Sequence, residues 1–117
     1  MMVGDRAETT RSFSAADMAG FATLTGIAPK TVPEPLIAGL FSYLLGVELP
    51  GPGTNYLKQE LNFLHPAPLG EELTASVEIK RLRRDKHLVD LEAVCRRADG
   101  TVICHGRSLV LAKDVAR

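Results

Sequence analysis

Hydrophobic positions fall first into a short extended stretch, then into two segments of helical period, then into runs of period two. Thr9, Thr10 and Phe13 favour extended structure and predict a first strand over residues 6–13. Ser14 followed by Asp17 is a capping-box helix start with Asp in the place of Glu. The helix predicted over 15–25 puts Met18, Phe21, Ala22 and Thr25 on one face, with Gly26 as its C-terminal stop. Pro29 and Pro33 make residues 26–33 a loop. A second helix starts near Glu34, with Pro35 in its first turn, where a missing N–H costs nothing. It runs through LIAGLFSYLLGV and stops by Pro50.

This second helix carries no charge from Pro35 to Val47. A helix that is apolar all round must be wrapped on most sides. The run is shorter than the roughly 20 residues a membrane span needs, which favours a buried core helix. Ala38, Ser42 and Gly46 form a stripe of small residues beside Gly39. A glycine inside a helix costs about 1 kcal/mol, so the stripe predicts close approach of another backbone.

After the LPGPG loop (residues 49–53) the period changes to two. Leu57, Gln59, Leu61 and Phe63 share one strand face, and a Pro-rich break follows over 65–70. Leu73, Ala75, Val77, Ile79 and Arg81 alternate with Thr74, Ser76, Glu78 and Lys80. Arg84-Asp85-Lys86 is a turn, and Val89, Leu91, Ala93 and Cys95 define the next inward face. Asp99-Gly100 signals a two-residue hairpin before a last strand over 101–112. That register pairs Ala98 with Thr101 and sets Cys95 opposite Cys104. Strand, helix, buried helix, the strand over 57–63 and three long meandering strands define an α+β class. A curved antiparallel sheet wraps a central buried helix, which is the hotdog fold. The chain reads as one domain over 1–117, with its core over about 6–112.

Composition narrows the functional classes. The 117 residues suit one domain, and 45% hydrophobic with 24% charged residues is globular composition. Fourteen basic residues balance fourteen acidic ones, so there is no global basic field for nucleic acid or an anionic membrane. Two cysteines are too few for a disulfide scaffold. The opening MMVGDRAETTRSF has no apolar core of a secretory signal, so a cytoplasmic location with reduced thiols is expected.

Several phrases resemble the MaoC-like hydratase/dehydratase family. FSAADMAGFATLTG (13–26) is similar to the family's opening, and LGVELPGPGTNYLKQELNFLHPAPLGEELTASVEIK (45–80) is closer still. The final hairpin, with Asp99-Gly100 before Val102, also matches. The resemblance covers roughly 12–112. It implies a hotdog fold, usually dimeric. It also implies acyl thioesters of coenzyme A or acyl carrier protein as substrates, with hydration of an enoyl thioester or its reversal as the reaction. Coenzyme A or phosphopantetheine would enter as part of the substrate, with no further cofactor. The family's catalytic Asp and His come from a phrase like S-G-D-x-N-P-x-H after the first helix. Here Ile27 stands in the place of the Asp, no His follows before Glu34, and the segment separating that phrase from the buried helix is absent.

Water addition to an enoyl thioester needs a base, an acid, and donors for the enolate oxygen. The backbone N–H groups of Leu36, Ile37 and Ala38, at the positive end of the helix dipole, are the candidate donors. Glu34 is the ionisable group beside that end and the candidate base or nucleophile, unless it only complements the dipole. His65, before Pro66, could reach a pocket and is the candidate acid/base, although it, His87 and His105 all read equally as structural or solvated. Arg83, Arg84 and Lys86, in a basic turn, are candidates for substrate phosphates or an acidic carrier protein, set against a plain solvated turn. No His pair has metal-ligand spacing. Two alternatives stay open: an acyl-CoA thioesterase using Glu34, and a non-catalytic acyl-thioester-binding subunit paired with an intact hotdog partner. A homodimer is otherwise expected.

Overall fold

The computed structural model describes residues 1–19, 26 and 29–113. Five strands and one central helix make up the described fold: β1 (Arg6–Arg11), α1 (Glu34–Tyr43), β2 (Asn55–Phe63), β3 (Leu73–Arg83), β4 (Leu88–Arg97) and β5 (Val102–Leu111). The sheet is antiparallel in the order β1-β3-β4-β5-β2, with the expected meander at its centre and β1 and β2 at its edges. Leu73, Ala75, Val77 and Ile79 of β3 and Val89, Leu91, Ala93 and Cys95 of β4 are all buried, as the alternation requires. They pack with Ile37, Leu40, Phe41, Leu44 and Leu45 in one core. Burying each Val, Leu, Ile or Phe side chain among them is worth about 1.5–3 kcal/mol.

The capping box is present. The Ser14 N–H donates to Asp17 Oδ2 at 2.7 Å, and the Asp17 N–H returns a bond to Ser14 Oγ at 3.2 Å. Residues 15–19 are helical and Met18 is buried. The remainder of the predicted helix, with Phe21, Ala22 and Thr25, falls on residues outside those described.

The central helix departs from expectation in two ways. Its α-helical part ends at Tyr43, and Leu44–Glu48 continue as wider π-helical turns. It also keeps a solvent side in the single chain. Gly39, Ser42, Tyr43 and Val47 are exposed, although nothing in the segment is charged. The small-residue stripe meets no backbone among the described residues, because a Cβ added at Gly39 or Gly46 would find nothing within 4 Å. Close backbone approach falls instead at Gly106, where a Cβ would run onto the Glu60 carbonyl oxygen.

Three irregularities in the sheet move side chains away from strict alternation. A bulge between Tyr56 and Lys58 leaves Leu57 unpaired and 54% exposed, so it leaves the face of Gln59, Leu61 and Phe63. A second bulge, between Ile79 and Arg81, turns Arg81 outward and Leu82 inward, against the expected inward set. The third concerns the hairpin. Arg97 N–H bonds the Thr101 carbonyl, Gly100 N–H bonds the Arg97 carbonyl, and Gly100 has φ +92°. The loop is therefore three residues, not two, and Arg97 takes the place expected of Ala98. Arg96 pairs with Val102, and one extra residue, Ile103, restores the Cys95–Cys104 pairing. The thiols do face each other, by a route the two-residue turn does not supply. Both are free and buried.

Candidate active site at the start of the central helix

The segment leading into α1 is held from two sides. Val32 N–H donates to the Ala67 carbonyl at 2.8 Å, and Thr31 forms an isolated bridge with Pro68. The chain leaving β2 is held in turn by β5, because the N–H groups of Leu64 and His65 both point to the Ile103 carbonyl, at 2.8 and 3.4 Å. These bonds place the Pro-rich break against the helix start. Between them lies a cleft of about 310 Å³ lined by Thr31, Val32, Glu34, Ile37 and the stretch from Phe63 to Ala67. Glu34 and His65, far apart in sequence and both exposed, line this one cleft.

The helix start offers fewer donors than expected. Pro33 is the N-cap, and the first four N–H positions are Pro33, Glu34, Pro35 and Leu36, two of which have no N–H. Leu36 N–H donates to the Pro33 carbonyl at 3.0 Å. Ile37 and Ala38 stand one and two places further on, where the N–H enters the intrahelical ladder. The Glu34 N–H is left as the donor without a partner among the described residues, so one position replaces the expected three. Two prolines in the first turn explain the difference.

Behind the cleft sit the two thiols. Cys104 pairs across the sheet with Phe63 on one side and Cys95 on the other. Burial pushes the Cys104 thiol up to about 11, and the Glu34 carboxylate pushes it the same way. Burial, then the neighbouring Cys104, raises Cys95 to about 11 as well. Both stay protonated at neutral pH and serve as apolar core groups, not nucleophiles.

The basic turn is not part of this cleft. Arg83, Arg84 and Lys86 lie at the far end of β3, whose eleven residues span roughly 33 Å at strand rise. Arg84 Nη2 donates to the Met1 carbonyl at 2.7 Å, and Arg84–Lys86 form a 3₁₀ turn closed by His87 in the left-handed region. Arg83 instead shares a smaller cleft with Arg81, a residue whose outward position only the β3 bulge explains. His105 lies on the outer sheet face with Glu92 and Arg107, away from the helix start. Among the described residues no cluster of His, Cys, Asp and Glu has the makings of a metal site. No described helix is long and apolar enough to cross a membrane.

A five-stranded antiparallel sheet around one central helix, with a cleft at the helix start, defines a hotdog-fold protein. No family model matches the chain. It is 36% identical to an (R)-specific enoyl-CoA hydratase of Aeromonas caviae, with 92% of each chain covered. It is 33% identical to a 3-hydroxybutyryl-CoA dehydratase of Methylorubrum extorquens, covering 86% of this chain and 73% of that one. The solved (R)-hydratase of A. caviae, involved in PHA biosynthesis, superimposes with a TM-score of 0.85 at 35% identity, covering 94% of this chain and 96% of that one. The chain belongs to the MaoC-like family of (R)-specific enoyl-CoA hydratases and 3-hydroxyacyl dehydratases. The alignment with the A. caviae hydratase runs over 124 positions, more than the 117 residues of this chain, so that relative carries residues this one lacks.

Proposed function

We propose that the chain binds acyl and enoyl thioesters at the start of α1 and adds or removes water there. Glu34 acts as general base and His65 as general acid. The observation that carries this reading is the convergence of Glu34 and His65 on one cleft beside the unpartnered Glu34 N–H. A base must reach the water, an acid must reach the alpha carbon, and a donor must meet the developing enolate oxygen. Glu34 and His65 line the cleft, and the unpartnered Glu34 N–H is the proposed donor. Family membership supports the lyase class. Coenzyme A or phosphopantetheine would arrive as the handle of the substrate, with no further cofactor, and a cytoplasmic setting suits such thioesters.

The chain is proposed to act as a homodimer. Tyr43 at the end of α1 and Val47 in the π-helical turns that follow, with Tyr56 and Leu57 on edge strand β2, expose apolar surface that a second copy would cover.

One observation favours a second reading, a non-catalytic thioester-binding subunit of a hotdog heterodimer. By the sequence resemblance Ile27 falls where the family has its Asp, and no His lies between Gly26 and Glu34. A mixed panel of saturated, enoyl and 3-hydroxyacyl-coenzyme A thioesters, with products read by mass spectrometry, separates these readings. Gain or loss of water is the expected result. Free acid with released coenzyme A would make the protein a thioesterase, and an unchanged panel would leave only the binding role.

A further inference from the structure

The outer face of the sheet carries a second cleft that the helix-start chemistry does not use. It occupies about 250 Å³ and is lined by Arg81, Arg83, Leu88, Asp90 and Leu109. The bulge between Ile79 and Arg81 builds it. Without that extra residue Arg81 would follow Ile79 to the inner face, and with it Arg81 and Arg83 both stand on the outer one. Neither arginine has an ion-pair partner among the described residues, whereas Arg6, Lys58, Lys80, Arg97 and Arg107 each have one. The carboxylate in the cleft, Asp90, is already engaged by Arg107 at 3.1 Å. Leu88 and Leu109 are half-buried and give the cleft an apolar side next to Asp90 and the two arginines.

Two unpaired guanidiniums beside an apolar floor match a particular ligand chemistry. A guanidinium binds phosphate oxygens through paired N–H donors, and its planar face lies against flat rings. The leucines offer a dry surface to a ring that a free inorganic anion would not use. We propose that this cleft binds a phosphorylated nucleoside, with Arg81 and Arg83 on the phosphate and Leu88 and Leu109 under the base. The inference is independent of the helix-start reading, because the cleft lies at the other end of β3 and its ligand needs no thioester.

The test is calorimetric titration of the full chain with adenosine monophosphate, adenosine and inorganic phosphate at low salt. Saturable binding of the monophosphate, tighter than either part alone, is expected. Arg81→Gln with Arg83→Gln should weaken it about tenfold or more, the scale of losing charge-assisted bonds. Arg96→Gln, which removes the same kind of charge elsewhere on the outer face, should leave it unchanged. Absence of saturable binding, or equal weakening by Arg96→Gln, would overturn the site. Inorganic phosphate binding as tightly as the monophosphate would overturn its assignment to a nucleoside. None of these readouts depends on hydratase turnover.

Discussion

At the scale of single residues, Asp17 shows how local sequence becomes a titratable contribution to stability. Its carboxylate accepts the Ser14 N–H and hydroxyl, and these bonds hold it below the usual carboxylate range. A depressed folded-state value means that the unfolded chain takes up the proton first as pH falls. The contribution is thus complete above about pH 4, near the ordinary value for Asp. It is lost as pH drops through the lower folded value. Melting temperature measured against pH should show a shallower acid limb in Asp17→Asn than in the parent, with the two chains differing most at neutral pH. Identical acid limbs would remove the capping box from the balance. This motif was readable from Ser14 and Asp17 alone because a cap is made within four residues. The Glu34–His65 convergence was not, because the bonds of Val32, Leu64 and His65 to distant carbonyls create it.

Among the elements, strands obeyed their patterns except where a residue was inserted. The inward sets of β3 and β4 were legible from period two, and so was the meander. The bulges at Leu57, Lys80 and Ile103 were not, because a bulge is set by the partner strand's register and leaves no mark in local alternation. The central helix illustrates the converse. Its lack of charge predicted enclosure, yet one chain covers only the side with Ile37, Leu40, Phe41, Leu44 and Leu45. Gly106 offers an element-scale prediction. It sits on β5 between Leu61 of β2 and Ala93 of β4, and β2 crosses its Cβ position through the Glu60 carbonyl. Backbone cannot move aside as a flexible side chain does, so Gly106→Ala should loosen the β2–β5 pairing. A loss of about 1–3 kcal/mol is expected, the scale of overpacking, in denaturant unfolding. A stability equal to the parent's would show that the strands relax freely.

For the whole molecule, fold and family were within reach of the sequence, since the order of elements and the Leu45–Lys80 phrase both pointed there. The proposed homodimer rests on the apolar surface the fold leaves uncovered. Sedimentation at micromolar concentration should give a species of twice the chain mass, and Tyr56→Glu with Leu57→Glu should shift it toward monomer. A parent that stays monomeric would favour an unlike hotdog partner.

The most direct measurement is the hydration rate of an enoyl thioester by the parent and by Glu34→Gln, with melting temperature as the control for folding. The helix-start mechanism predicts a fall of about 10²–10⁴-fold, the usual share of a general base, at unchanged melting temperature. Unchanged turnover in Glu34→Gln would contradict it and take Glu34 out of the chemistry.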